Sequence, residues 1–190
     1  MKQSRLIAIT GGIGSGKSSA CVIVKNLGFP VLDCDKIAKE ISYSPSITEL
    51  ISLTFGEKFI FNGALNRKEL RSEVFADKQK YQQLNDIFFE KTIEELLKQV
   101  EKIPESTIFV EVSAYKPSLD SIFTQVWLVD APLQVRLNRV RIRDEVEMEN
   151  ILNIMNNQIM PIKPTKIINN DGTIEQLAQQ VEYLVFQLDN

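Results

Sequence analysis

Apolar residues follow two rhythms along this chain, and the change between them marks out its elements. Short unbroken runs at Leu6-Ile7-Ala8-Ile9, Phe29-Pro30-Val31-Leu32, Thr107-Ile108-Phe109-Val110-Glu111-Val112, Gln125-Val126-Trp127-Leu128-Val129-Asp130 and Lys166-Ile167-Ile168-Asn169 read as buried strands. Helical spacing fills the intervals. Ser18 to Leu27 forms a first helix, stopped by Gly28 and then Pro30. Strand, short helix and strand make a βαβ unit, whose crossover is right-handed and whose strands are parallel. Trp127 belongs in the core.

Between residues 45 and 103 the strand rhythm is absent. Pro45-Ser46 opens a helix, with Glu49 three residues after Ser46 as in a capping box. Asn62-Gly63 marks a turn. Asn66 followed by Glu69 starts another helix, carrying Leu70, Val74 and Phe75. Leu84, Ile87, Phe88, Ile93, Leu96, Leu97 and Val100 keep helical spacing up to Pro104. This helical insertion either packs a core of its own or covers a second substrate, as lids do. Further on, Leu133, Leu137 and Val140 form one helical stripe, and Val146, Met148, Ile151, Leu152, Met155 and Ile159 another. Thr173 with Gln176 begins a terminal amphipathic helix.

Composition narrows the possibilities. A chain of 190 residues supports one domain with an insertion. The core is 1–44 with 105–190 and the insertion is 45–104. The net charge of −3 offers no broad basic surface for nucleic acid. No apolar run is long enough to cross a membrane, and the N-terminus lacks a signal-peptide pattern. Cys21 and Cys34 form no framework, so a reduced, cytoplasmic protein is expected. There is no histidine, which excludes Ser-His-Asp catalysis and His-ligated zinc. Phosphoryl transfer tolerates that loss, because it relies on positioning and charge neutralisation.

The chemistry centres on Gly11-Gly12-Ile13-Gly14-Ser15-Gly16-Lys17-Ser18, which fits G-x-x-x-x-G-K-[ST] and lies between a strand and a helix. Backbone N–H groups from Gly11 to Ser19 wrap a polyphosphate, and glycines allow the close approach. Lys17 places a charge on the outer phosphates, and the Ser18 hydroxyl suits Mg²⁺. In parallel sheets ligands bind beyond the carboxyl ends of the strands, which puts Asp33 and Asp35 on the rim of this loop. Asp33 is a candidate base for an acceptor hydroxyl, or an indirect Mg²⁺ partner. The same pair also reads as a helix N-cap. Glu111 is a candidate for holding a metal-bound water, or else a plain strand residue. Arg136, Arg139 and Arg143 share one helical face, suited either to multidentate phosphate contact or to solvent and neighbouring carboxylates. No N-K-x-D guanine-reading motif is present.

These residues resemble the dephospho-CoA kinase family. The glycine loop is similar to the family's, and Val31-Leu32-Asp33-Cys34-Asp35 looks like its V-[IL]-D-[AS]-D. Asn62-Gly63-Ala64-Leu65-Asn66-Arg67 resembles its D-G-x-L-[DN]-R turn, Arg139 to Asp144 its R-x-x-x-R-D lid, and Ile168 to Gly172 its I-x-N-[DN]-G. The resemblance implies an α/β fold: a P-loop kinase-type parallel five-stranded sheet flanked by helices, with a helical CoA-binding insertion and a lid helix, the lid spanning about 133–165. It implies ATP and Mg²⁺ at residues 11–18, beside Ser19. It makes dephospho-CoA the small-molecule acceptor, Asp33 the base, and Lys17 and Arg139 catalytic, with Arg143 closing over the phosphates. The family's His-Pro pair in the insertion is absent after Leu84-Asn85. Its P-L-L-[FV]-E is replaced by Val112-Ser113-Ala114-Tyr115-Lys116, and the segment between Gln158 and Asn169 is shortened. A kinase of another small hydroxyl acceptor, or a non-catalytic nucleotide-binding homologue, are the alternatives these departures leave.

Overall fold

The computed structural model describes residues 4–61, 64–74, 77–144, 151–152, 155–156 and 158–188. Two compact units are present, one formed by residues 1–33 with 103–190 and the other by 34–102.

The first unit is built on a parallel sheet of five strands: β1 (Arg5–Thr10), β2 (Val31–Asp33), β5 (Thr107–Val112), β6 (Gln125–Asp130) and β7 (Lys166–Asn169). Their spatial order is β2-β5-β1-β6-β7. Helices α1 (Lys17–Asn26), α6 (Leu133–Asp144) and α7 (Ile174–Phe186) belong to this unit. The fold class expected from the sequence is therefore the one observed. Alternation along β1 sends Ile7 and Ile9 to one face, where they meet Ala20, Cys21 and Val24 of α1 and Leu177, Val181 and Val185 of α7. Trp127 is completely buried in this layer, and the Phe109 ring meets it edge-on at 5.2 Å. Helix α7 starts in the capping box read from the sequence, with the Thr173 hydroxyl accepting from the Gln176 N–H and the Gln176 side chain accepting from the Thr173 N–H.

Register fixes what sits at the carboxyl rim. Asp33 pairs with Glu111, Thr10 with Val112, and Asp130 with Asn169. The Thr10 hydroxyl donates to the Val112 carbonyl at 2.8 Å and the Asn170 N–H to the Asp130 carbonyl at 2.7 Å, pinning the strand ends on either side of the glycine loop.

The second unit contains α2 (Cys34–Ile41), α3 (Pro45–Phe55), a two-stranded antiparallel pair β3 (Ile60–Phe61) and β4 (Ala64–Leu65), α4 (Arg67–Val74) and α5 (Lys78–Glu101). Ile47, Ile51, Phe59, Leu70 and Val74 form its core, with Leu84, Ile87 and Phe88 against it.

The structure corrects several sequence expectations. The β3–β4 pair interrupts a segment read as wholly helical; each strand is two residues, too short for periodicity to reveal. Ser44, not Ser46, caps α3, its hydroxyl accepting from the Ile47 N–H, because Pro45 takes the first helical position. Helix α2 begins at Cys34, so Asp35 lies inside its first turn rather than capping it. Leu133 is half exposed at the mouth of α6, leaving Leu137 and Val140 as the buried stripe. Asn62-Gly63, Phe75, Val146 and Met148 lie outside the described residues.

Candidate phosphoryl-transfer site

The loop between β1 and α1 is shaped by its glycines. Gly16 takes a left-handed conformation (φ 98°) immediately before α1, and a Cβ there would overlap the Asn170 side-chain amide. No side chain caps α1, so its first N–H groups are left facing the loop, an arrangement suited to an anion. Lys17 is buried, and its Nζ donates back to the Gly11 carbonyl at 2.9 Å and the Gly12 carbonyl at 3.4 Å. These bonds hold a positive charge at the Gly11–Gly12 end of the loop.

At the opposite end, at the second residue of α1, the Ser18 hydroxyl donates to Glu111 Oε1 at 2.7 Å. Glu111 thus meets the glycine loop directly, and Asp33 lies beside it in register on β2. Cys21, one turn further along α1, reports the same cluster. Burial pushes its thiol pKa up, the Glu111 carboxylate and its hydrogen bond push it further, and the Asp33 charge adds to this against an opposing Lys25. The cysteine is therefore a neutral thiol beside two carboxylates. Ser18 and Glu111 offer a hydroxyl and a carboxylate, the hard oxygen donors Mg²⁺ prefers when phosphates complete its shell. Among the described residues, no cluster of three or more His, Cys, Asp or Glu forms an all-protein metal cage.

Helix α6 supplies the cationic side. Arg139 Nη1 reaches the Ser15 carbonyl at 3.5 Å, and Arg136 lies over Gly12. Arg143 is exposed, one turn beyond Arg139. Of the three arginines read as one face, Arg136 and Arg139 meet the loop.

Sequence reasoning missed three supports of the loop. Asn170 Nδ2 donates to the Ser15 carbonyl at 2.7 Å. The Ile13 N–H donates to Gln158 Oε1 at 2.8 Å. The Ile13 side chain packs against the apolar cluster of Leu137, Val140, Ile151 and Met155. Asn170 sits in a recognisable I-x-N-[DN]-G motif, which could have drawn attention to it. Nothing local marks Gln158, whose partner is 145 residues away.

A glycine loop between β1 and α1, a hydroxyl meeting a strand-end carboxylate, and arginines over the loop together define a kinase-type phosphotransferase core on a parallel sheet. Comparison with known proteins narrows this class. The family model described as dephospho-CoA kinase matches residues 5–176, so the chain belongs to the dephospho-CoA kinase family, ATP-dependent transferases of the last step of coenzyme A biosynthesis. The dephospho-CoA kinase of Fusobacterium nucleatum is 34% identical over 183 residues, covering 93% of this chain and 95% of that protein. That of Clostridium tetani is 36% identical over 200 residues, covering 97% and 86%. A crystal structure from Thermus thermophilus matches with a TM-score of 0.82 at 27% identity, covering 98% of this chain and 99% of the other. The dephospho-CoA kinase structure from Campylobacter jejuni shares the fold, with a TM-score of 0.68 at 22% identity and 96% of each chain covered.

Proposed function

We propose that this chain transfers the γ-phosphoryl group of ATP to the 3′-hydroxyl of dephospho-CoA, giving CoA and ADP, with Asp33 as the base. The observation that carries the proposal is the placement of Asp33 beside Glu111, whose carboxylate is bonded to Ser18 of the glycine loop. The acceptor oxygen forms a bond to the γ-phosphorus, the bond from that phosphorus to the β–γ bridging oxygen breaks, and the acceptor proton passes to the Asp33 carboxylate. Residues 11–19 hold the donor through backbone N–H groups. Lys17 leaves the Gly11 and Gly12 carbonyls for the outer phosphate oxygens, and Arg139, with Arg143, neutralises charge from α6. Ser18 and Glu111 would hold Mg²⁺, which neutralises phosphate charge when bound. Residues 45–104 supply the binding surface for dephospho-CoA. The reaction proposed here takes place in the cytoplasm.

Steady-state kinetics with dephospho-CoA and ATP test the assignment. Asp33→Asn removes the proton acceptor and keeps the side chain's size. Turnover should fall by about 10²–10⁴-fold, the usual worth of a general base, while the ATP dissociation constant stays within a few-fold. Unchanged turnover in Asp33→Asn would remove the residue from the chemistry. Turnover of other hydroxyl acceptors in preference to dephospho-CoA would reassign the substrate.

A further inference from the structure

Among the described residues, none forms an ion pair with the Arg136 guanidinium. A Cβ on Gly12 would overlap Arg136 Nη1, and the same position lies 3.6 Å from Gln158 Oε1. A Cβ on Gly14 would meet the Arg136 backbone carbonyl at 2.6 Å, so the helix backbone and the arginine's own head both press on the loop. Its Nε is buried without a hydrogen-bond partner. A guanidinium nitrogen buried without an acceptor is costly unless a partner such as an anion arrives to match it. The nearest charged group of the loop is another cation. Lys17 Nζ is anchored on the Gly11 and Gly12 carbonyls, so Lys17 and Arg136 both converge on the Gly11–Gly12 end.

We infer that Arg136 is a further phosphate-contacting residue, which with Lys17 binds the terminal, transferable phosphate of the donor at the Gly11–Gly12 end of the loop. The inference rests on the phosphate-loop reading proposed above and adds to it a discrimination between nucleotides. ATP brings an extra phosphate and extra negative charge to this end, and ADP does not. A planar guanidinium can bridge two oxygens of that group, which the Lys17 ammonium cannot. Gly12 then has its own reason to be glycine: any side chain there would displace the arginine head.

The test is a comparison of two nucleotides. Binding of the β,γ-imido analogue of ATP and of ADP, each with Mg²⁺, is measured by calorimetry for the unaltered protein, Arg136→Gln, Arg136→Lys and Lys17→Ala. Arg136→Gln should weaken the ATP analogue by about tenfold or more, the worth of one charged hydrogen bond, while ADP affinity changes less than about threefold. Its kcat should drop by about 10²-fold or more. Arg136→Lys keeps the charge and should recover part of the analogue's affinity, and it serves as the readout if the glutamine variant is poorly folded. Equal weakening of both nucleotides would show an arginine that only packs the loop, and no weakening of either would show one directed at solvent; each overturns the inference. If the unaltered protein and Lys17→Ala bind both nucleotides alike, the phosphate-loop reading fails and this inference falls with it. If the unaltered protein binds both nucleotides but leaves dephospho-CoA unphosphorylated, only the acceptor assignment fails, and the Arg136 comparison still decides.

Discussion

Ser18 and Glu111 are a pair in which neither residue's role is readable without the other. Glu111 is one acidic residue in an otherwise apolar strand, and its bond to Ser18 crosses 93 positions of sequence. In the proposed reaction both hold one ion, so their effects should not add. Glu111→Gln and Ser18→Ala should each raise the Mg²⁺ concentration needed for half-maximal activity, and the double variant should be little worse than the more damaged single one. Fully additive losses in a Mg²⁺ titration would show that the two serve different ends. Cys21 offers an independent reading of the same cluster. Its thiol pKa is raised by burial and by Glu111, so the protonated form is favoured in the folded chain. The sign follows: this contribution to stability is complete below the ordinary thiol pKa and is lost as pH rises above it. At neutral pH Cys21 should resist alkylation until the protein is unfolded. Rapid modification of native Cys21, mapped by mass spectrometry, would contradict its burial at 2% exposure.

At the level of elements, the loop and its flanks were the most legible part of the molecule. Each strand of the main sheet is built on a short apolar run, and each of the two turns that shape the site carries its own local chemistry. Glycines shape the phosphate loop, and a Thr–Gln box starts α7. Gly16→Ala puts a side chain into left-handed backbone, costing about 1–2 kcal/mol, and strikes the Asn170 amide. Nucleotide affinity should fall by about tenfold or more for that reason, while far-UV circular dichroism stays unchanged. Trp127→Ala should behave oppositely. It empties the middle of the sheet's packed face and should cost about 3–5 kcal/mol in denaturant unfolding, with nucleotide contacts spared. What the sequence hid was long-range or very short. Gln158 and Asn170 act on the loop through tertiary contact, while the β3–β4 strands are below the length at which alternation can be counted. Arginine spacing placed Arg136, Arg139 and Arg143 on one face, but the curve of the loop around α6 decides which of them it meets.

For the whole molecule, the division into two units suggests a division of labour. Glycine loop, arginines and both strand-end carboxylates belong to the unit formed by residues 1–33 and 103–190, while residues 34–102 pack a core of their own. Hydrogen exchange can separate the two ligands. ATP with Mg²⁺ should protect amides of residues 11–19 and slow exchange along α6, whereas dephospho-CoA should protect amides within 45–104. Protection of the second segment by neither ligand would remove its role in acceptor binding. The departures from the family in the insertion and after β5 fall in segments proposed to hold the acceptor, so the acceptor is where the decisive measurement lies. Purified protein incubated with ATP, Mg²⁺ and dephospho-CoA should give one CoA per ADP, with the new phosphate on the ribose 3′-oxygen by ³¹P NMR and mass spectrometry, and Asp33→Asn should nearly abolish it. ADP release without a 3′-phosphorylated product, or undiminished product from Asp33→Asn, would contradict the proposed reaction.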